Sequence, residues 1–358
     1  MNKHHNFWKN KKVFITGHTG FKGSWLCLIL SLMGAQITGY SLKPKTKPNI
    51  FSLASIKDVI TKSIIGDVRD YKKLFSEIKK SKSEILFHLA AQPLVRDSYS
   101  NPKETFETNV VGTLNILESV KNFKKLRSSV IITSDKVYDV SKNKTYKEFD
   151  LLKGLDPYSS SKVCCEHIFF SYMNSFFKKN NLQKLATARA GNVIGGGDYS
   201  KDRLIPDIMD SVRKKRNIYI RNPNSTRPWQ HVLEPLSGYI MLAMKMYQKN
   251  KVVCSEEPNW NFGPDVSNCK SVNYIANYIS KKIKLKIVKN KIKDRSSENS
   301  ETNYLRLNNN KCKKKLKWYP KWNLEFSLDK ILEWNNEIKH INPKKVCINQ
   351  IEEYFQNY

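Results

Sequence analysis

The stretch Val13-Phe14-Ile15-Thr16-Gly17-His18-Thr19-Gly20-Phe21-Lys22-Gly23-Ser24-Trp25-Leu26 decides the fold. A short apolar run suited to a buried strand enters a Gly-x-x-Gly-x-x-Gly turn, and an apolar helical pattern over Ser24 to Met33 follows at once. The glycines have different tasks: the first allows the tight turn, the second lets backbone approach a pyrophosphate, and the third lets helix pack on strand. The helix that the turn opens presents its N-terminus to the anion. Gly17, Thr19, Gly20, Phe21, Lys22 and Gly23 are therefore candidate dinucleotide-binding residues.

Working outward, apolar strands at Gln36–Tyr40, Ile64–Gly66, Ile85–Leu89, Val130–Thr133 and Leu185–Arg189 alternate with helical patterns near Phe106–Lys121 and Tyr158–Phe177. This alternation predicts an α/β chain with a Rossmann, doubly wound parallel sheet. The expected division is a dinucleotide-binding domain over 1–190, to which the chain returns around 229–263, and a smaller, mixed substrate-binding domain over most of 191–358, where Gly195–Gly197 and prolines break the pattern. Asp67, after the third strand and before Val68, is placed to accept a hydrogen bond from an adenine amino group, or else to cap a helix. The carboxylate that usually meets ribose hydroxyls about 20 residues past the glycines is missing, and Tyr40-Ser41-Leu42-Lys43 stands there instead. Lys43 or Lys45 could meet a 2′-phosphate, so the residues leave NAD and NADP both open.

Tyr158 and Lys162 lie four residues apart and share one face of a helix entered through Asp156-Pro157. The lysine is expected to lower the phenol pKa, and a phenolate can take the proton of an alcohol while hydride leaves its carbon. Thr133-Ser134-Asp135-Lys136 ends the strand from Val130, at the edge where doubly wound sheets bind ligands, and offers an acid and a base for elimination.

The formal charge of +31 comes from lysines spread over the chain, thickest at Lys281–Lys293 and Lys311–Lys317. They lack the aromatic platform of a nucleic-acid module, so the expectation is solvated surface charge that attracts an anionic substrate, with no nucleic-acid partner. Seven cysteines without Cys-x-x-Cys read as reduced thiols, and the seven histidines show no ligand spacing, so no metal is expected. The polar, basic Met1–Lys12 and the lack of any long apolar run predict a cytoplasmic protein without a membrane segment.

The ordered set Gly17–Leu26, His88-Leu89-Ala90-Ala91-Gln92-Pro93-Leu94-Val95-Arg96, Asn109–Thr113, Thr133–Lys136, Asp156-Pro157-Tyr158, Arg189–Asp198 and Arg227–Val232 resembles the extended short-chain dehydrogenase/reductases, and within them the sugar-nucleotide 4,6-dehydratases. The wider group usually carries Asp-Glu where Asp135-Lys136 stands, and the lysine resembles the branch acting on CDP-glucose. The resemblance implies a tightly bound NAD, a homodimer, and conversion of the sugar nucleotide to its 4-keto-6-deoxy form with loss of water. By the same resemblance Tyr158 takes the 4-hydroxyl proton, Lys162 tunes it and holds the nicotinamide ribose, and Ser134 steadies the 4-oxygen. Lys136, neutral when it acts, removes the C5 proton, and Asp135 protonates the departing C6 hydroxyl. Leu89, Ala90 and Ala91 match the cofactor wall, Asn109 supports the site, and Asn192, Arg203, Arg227 and Tyr304 match substrate positions, arginine suiting a diphosphate.

Two departures stand out: Ser300-Glu301 lacks the histidine usual before the glutamate, and Lys147 replaces an arginine. The alternatives are a sugar-nucleotide epimerase, which needs no acid for a leaving hydroxyl, and an inactive scaffold or nucleic-acid binder, against which the complete Ser134, Asp135, Lys136, Tyr158 and Lys162 set speaks.

Overall fold

The computed structural model describes residues 6–178, 183–289 and 304–356. Seven strands form one parallel sheet: β1 (Lys12–Thr16), β2 (Gln36–Ser41), β3 (Lys62–Ile65), β4 (Ile85–His88), β5 (Ser128–Ile132), β6 (Lys184–Ala190) and β7 (Asn259–Phe262). Their spatial order is β7-β6-β5-β4-β1-β2-β3, and every neighbouring pair is parallel. The chain builds outward from β1 to β3, then crosses back to lay β4 on the other side of β1. Between β1 and β4 lies the switch point where open α/β sheets hold ligands, at the carboxyl ends of the strands.

Both faces of the sheet are covered, which is why its strands read as apolar runs rather than as alternation. On one face Trp25, Leu26, Ile29, Leu236, Ile240 and Trp260 belong to a large core; on the other Phe14, Leu86, Ile116, Val120, Ile131 and Phe169 belong to a second. Helix α1 (Phe21–Leu32) packs in the first core, and α2 (Tyr71–Ser81) and α3 (Gly112–Asn122) in the second. Helix α4 (Pro157–Tyr172) starts where Asp156 accepts hydrogen bonds from the Ser159 amide and hydroxyl, with Pro157 at its first position.

A third core, around Ile205, Ile208, Ile218, Ile275, Leu328 and Ile331, lies beyond the carboxyl edge of the sheet. It is built by α5 (Leu204–Arg213), α7 (Val272–Ile283) and α8 (Leu324–Glu337), with α6 (Leu233–Tyr247) returning to the sheet and α9 (Pro343–Phe355) closing the chain. No helix of the described residues is long and apolar enough to cross a membrane, and all seven cysteines are unpaired.

One buried carboxyl group ties the chain's last segments to α6. Glu234 accepts from the amides of Lys321 and Trp322 and from the Tyr354 hydroxyl at 2.6 Å. Burial pushes its pKa up to about 7 against the hydrogen bonds that favour the charged form. The folded state therefore holds a proton that the unfolded chain releases near pH 4.3. That contribution is fully present below the unfolded pKa and is lost as pH rises through about 7. Glu234→Gln is expected to flatten this fall, worth ~3–4 kcal/mol over the whole titration by the size of the shift. Denaturant unfolding at pH 5 and pH 8 checks it, and equal pH slopes for both proteins would contradict it.

Candidate active site

The turn after β1 has the geometry its glycines suggest. Gly17 has φ +77°, and a Cβ there would lie 2.7 Å from the Ala90 amide nitrogen after β4. A Cβ on Gly23 would lie 2.0 Å from the Gly17 carbonyl oxygen, so helix and turn touch through backbone. Gly20 is the roomy one: its Cβ would meet only that oxygen, at 3.4 Å. Space on this side, at the N-terminus of a helix with no acid in its first turn, fits a pyrophosphate. Thr19 donates to the Leu42 carbonyl at 2.8 Å and pairs with the Ser41 hydroxyl, which fastens the turn to the end of β2.

The cofactor-wall residues cluster around this turn. Leu89 and Ala90 hydrogen-bond to Thr16, and Val68 packs under Gly112, where a Cβ would stand 2.7 Å from the Val68 side chain. Ala91 follows on the same segment, half-buried. Asp67 sits at the expected edge, but its carboxylate is held by Arg69 through the backbone amide, Nε and Nη2, the last at 2.6 Å. Asn109 lies in a π-helical turn, Glu107–Val111, where it exchanges hydrogen bonds with the Gln92 backbone and donates to Ser161 at 2.8 Å. The wider turn aims a buried amide between the cofactor segment and α4, a use typical of π-bulges.

Four loops leaving the carboxyl ends of β1, β4, β5 and β6 surround a cavity of about 280 Å³. Lys22, Ser134, Asp135, Lys136 and Tyr158 line it from the sheet side, and Asn192, Arg203 and Arg227 from the other. Lys162 approaches from beneath, donating to the Ile132 carbonyl at 3.3 Å. Tyr304 is not among the lining residues; it bridges to Thr226, and the Arg306 guanidinium lies 4.0 Å above its ring. Residues 300–303, with the substituted histidine position, lie outside the described residues. Arg203 is paired with Asp198 at 3.0 Å, and Arg227 is buried with Nη1 on the Thr226 carbonyl.

Burial pushes the Tyr158 phenol up to about 12, while the Ser134 hydroxyl and the Arg203 charge favour its phenolate. Burial also lowers the Lys162 pKa, with the acidic Glu166 pulling the other way. Asp135 is 3% exposed, its Oδ2 is buried without a hydrogen-bond partner, and burial raises its pKa despite nearby cations. An unpartnered, desolvated carboxyl oxygen is a proton donor in waiting. Gly191 makes room for it, since a Cβ there would stand 3.0 Å from Oδ2.

Sequence reading missed several groups. Lys22 belongs to the cofactor turn by position, yet its side chain lines the cavity, where burial, Lys162 and Arg203 lower its pKa to about 8. Arg96, Tyr219 and Arg221 line the far end, Arg221 paired with Asp202 at 2.7 Å. Only the quoted run ending at Arg96 hinted at any of them.

Comparison with known proteins decides the kinship. Residues 14–331 match the family model described as GDP-mannose 4,6 dehydratase. The chain belongs to that family. It is 46% identical over 338 residues to CDP-glucose 4,6-dehydratase of Salmonella typhimurium, covering 92% of each chain. Among solved structures it resembles dTDP-glucose 4,6-dehydratase of Bacillus anthracis in complex with NAD, with a TM-score of 0.72 at 23% identity over 94% of this chain and 99% of that one. The UDP-glucose 4-epimerase of Thermotoga maritima, solved with UDP-glucose, gives a TM-score of 0.76 at 17% identity over 92% and 99%. Likeness at this level shows a shared fold.

The backbone contact under Gly23 yields a direct test. Gly23→Ala cannot be accommodated without opening the turn, so dinucleotide affinity should fall by at least an order of magnitude, on the scale of overpacking penalties of ~1–3 kcal/mol. Titration of bound NAD by fluorescence reads it; an unchanged affinity would contradict the role given to this turn.

Proposed function

We propose that the chain is a hydro-lyase that converts CDP-glucose to CDP-4-keto-6-deoxyglucose with release of water, using an NAD that stays bound through the cycle. The observation that carries this reading is the Asp135 carboxyl group, buried, its Oδ2 without a hydrogen-bond partner, and biased toward its protonated form in the same cavity as Tyr158. Epimerisation at C4 has no leaving hydroxyl and no use for such an acid; dehydration does. The 46% identity to the Salmonella enzyme and the Asp135-Lys136 order support the substrate.

Gly17, Gly20, Gly23 and the amides of Phe21 and Lys22 would hold the dinucleotide's pyrophosphate, with Thr19, Asp67, Val68, Leu89, Ala90, Ala91 and Asn109 walling the rest. Bound there, NAD supplies a hydride acceptor for C4 and the hydride donor for C6. Tyr158 takes the 4-hydroxyl proton once the cationic nicotinamide and Lys162 offset the burial that holds the phenol near 12. Ser134 steadies the 4-oxygen. The 4-ketone acidifies C5, Lys136 removes that proton, and Asp135 donates its own to the departing C6 hydroxyl. Arg203 and Arg227 bind the diphosphate by their donor forks and Asn192 supports them, whereas Tyr304, turned to Thr226 and Arg306, acts from behind the cavity wall.

Residues 1–190, with the returning segment 229–263, work as the cofactor unit and the remainder of 191–358 as the substrate unit. A homodimer is supported by apolar side chains left exposed on neighbouring helices, Val111 and Leu114 on one and Phe170 on the next. Seven unpaired cysteines support a reducing, cytoplasmic setting.

Purified protein should convert CDP-glucose to a product with the alkali-developed absorbance of a 4-keto-6-deoxy sugar, and prefer it to dTDP-, UDP- and GDP-glucose. Tyr158→Phe should lower kcat by ~10²–10⁴ and Asp135→Asn by at least ~10², the range for loss of a positioned acid or base. Preference for another nucleotide, or full activity in Asp135→Asn, would overturn the assignment.

A further inference from the structure

The mechanism above makes no use of the most buried ion pair among the described residues. Glu166 is 0% exposed and Arg189 1% at their side chains, and the Arg189 Nε lies 2.9 Å from Glu166 Oε1. Arg189 Nη2 donates to Oε2, also at 2.9 Å. The same carboxylate accepts from Thr133 at 2.6 Å and from Thr187 at 3.0 Å, so both oxygens are filled. Burial alone would raise the Glu166 pKa, but Arg189 and these donors outweigh it and hold the group charged. A bidentate pair saturated in this way is rigid, and losing one member would strand a charge in the interior.

Its position gives it meaning. Tyr158, Lys162 and Glu166 follow one another at four-residue steps on α4, on one stripe of the helix. Thr133 is the residue before Ser134, at the start of the loop carrying Asp135 and Lys136. At the other end of that loop, Tyr138 accepts from Arg189 Nη1 at 2.8 Å and donates to Asn261 on β7 at 2.7 Å. The second bond of that nitrogen goes to the Glu148 carbonyl, also at 2.8 Å. One ion pair thus brackets both ends of the loop and joins it to the helix that bears the phenol and ammonium.

We infer that the Glu166–Arg189 pair is a positioning device that fixes the distance between Tyr158 and Lys162 on one element and Asp135 and Lys136 on another. The inference rests on the dehydratase reading. It makes a specific claim: Tyr158 takes the 4-hydroxyl proton from the helix while NAD would accept the C4 hydride, and the acid and base act on C5 and C6 from the loop. Slackening the loop should impair the second event far more than the first, to which the loop contributes only Ser134.

Thr133→Val and Tyr138→Phe each remove one tether and leave the ion pair in place, which keeps the fold testable. The double variant, loaded with NAD and given CDP-glucose in single turnover, should form reduced nicotinamide within a few-fold of the wild-type rate. Water loss and exchange of the C5 hydrogen with deuterated solvent should fall on the order of a hundred-fold, the effect of about 1 Å of misplacement. Reduced nicotinamide should then accumulate, amide exchange over residues 134–138 should quicken, and Thr133→Ser should behave as wild type. Parallel loss of both half-reactions with a lowered Tm would make the pair merely structural and overturn the inference, as would unchanged partitioning. If the wild-type protein turned over no CDP-glucose at all, the dehydratase reading itself would have failed, a distinguishable outcome.

Discussion

All seven strands of the central sheet run in one direction, and this constraint places everything else. A parallel sheet sends every loop that leaves a carboxyl end to the same edge, and the reversal of strand order between β1 and β4 opens a crevice there. The backbone of Gly17 packs directly against the segment after β4 at that crevice. The loops after β5 and β6 then have one cavity to line between them, and residues far apart in sequence, Lys22, Asp135, Tyr158 and Arg203, become neighbours.

Burial is the dominant electrostatic influence in that cavity. It raises the pKa values of Tyr158 and Asp135 and lowers those of Lys22 and Lys162, so each group is pushed toward its neutral form. In the proposed reaction the neutral form of Asp135 is the useful one, because an acid has to arrive at the sugar with its proton. For Tyr158 the neutral form is a resting state, and the positive nicotinamide ring is the natural counterweight that draws the phenol toward phenolate.

Much of this was legible in the sequence where the signal is local. The strand, glycine turn and helix from Val13 to Leu26 state their geometry in adjacent residues, and Tyr158 and Lys162 declare a shared helical face by spacing alone. What stayed hidden depends on tertiary partners. Nothing near Asp67 shows that Arg69 will fold back on it, the π-turn at Asn109 leaves no periodicity to read, and Tyr304 matches a substrate position while facing Arg306. Spacing reveals that Lys162 lies beside the phenol, but not the depth of burial that pushes the phenol up to about 12. Glu166 and Arg189 meet across a gap no spacing rule spans, and each looks unremarkable in the run around it.

The account claims that oxidation and elimination occur on one hexose in one cavity, with hydride leaving C4 and returning to C6 of the same molecule. The direct measurement is the fate of deuterium from CDP-glucose labelled at C4, followed by NMR of the product. The account predicts deuterium at C6 and a solvent-derived hydrogen at C5. Label retained at C4 of an intact sugar, or lost to free reduced cofactor, would contradict it.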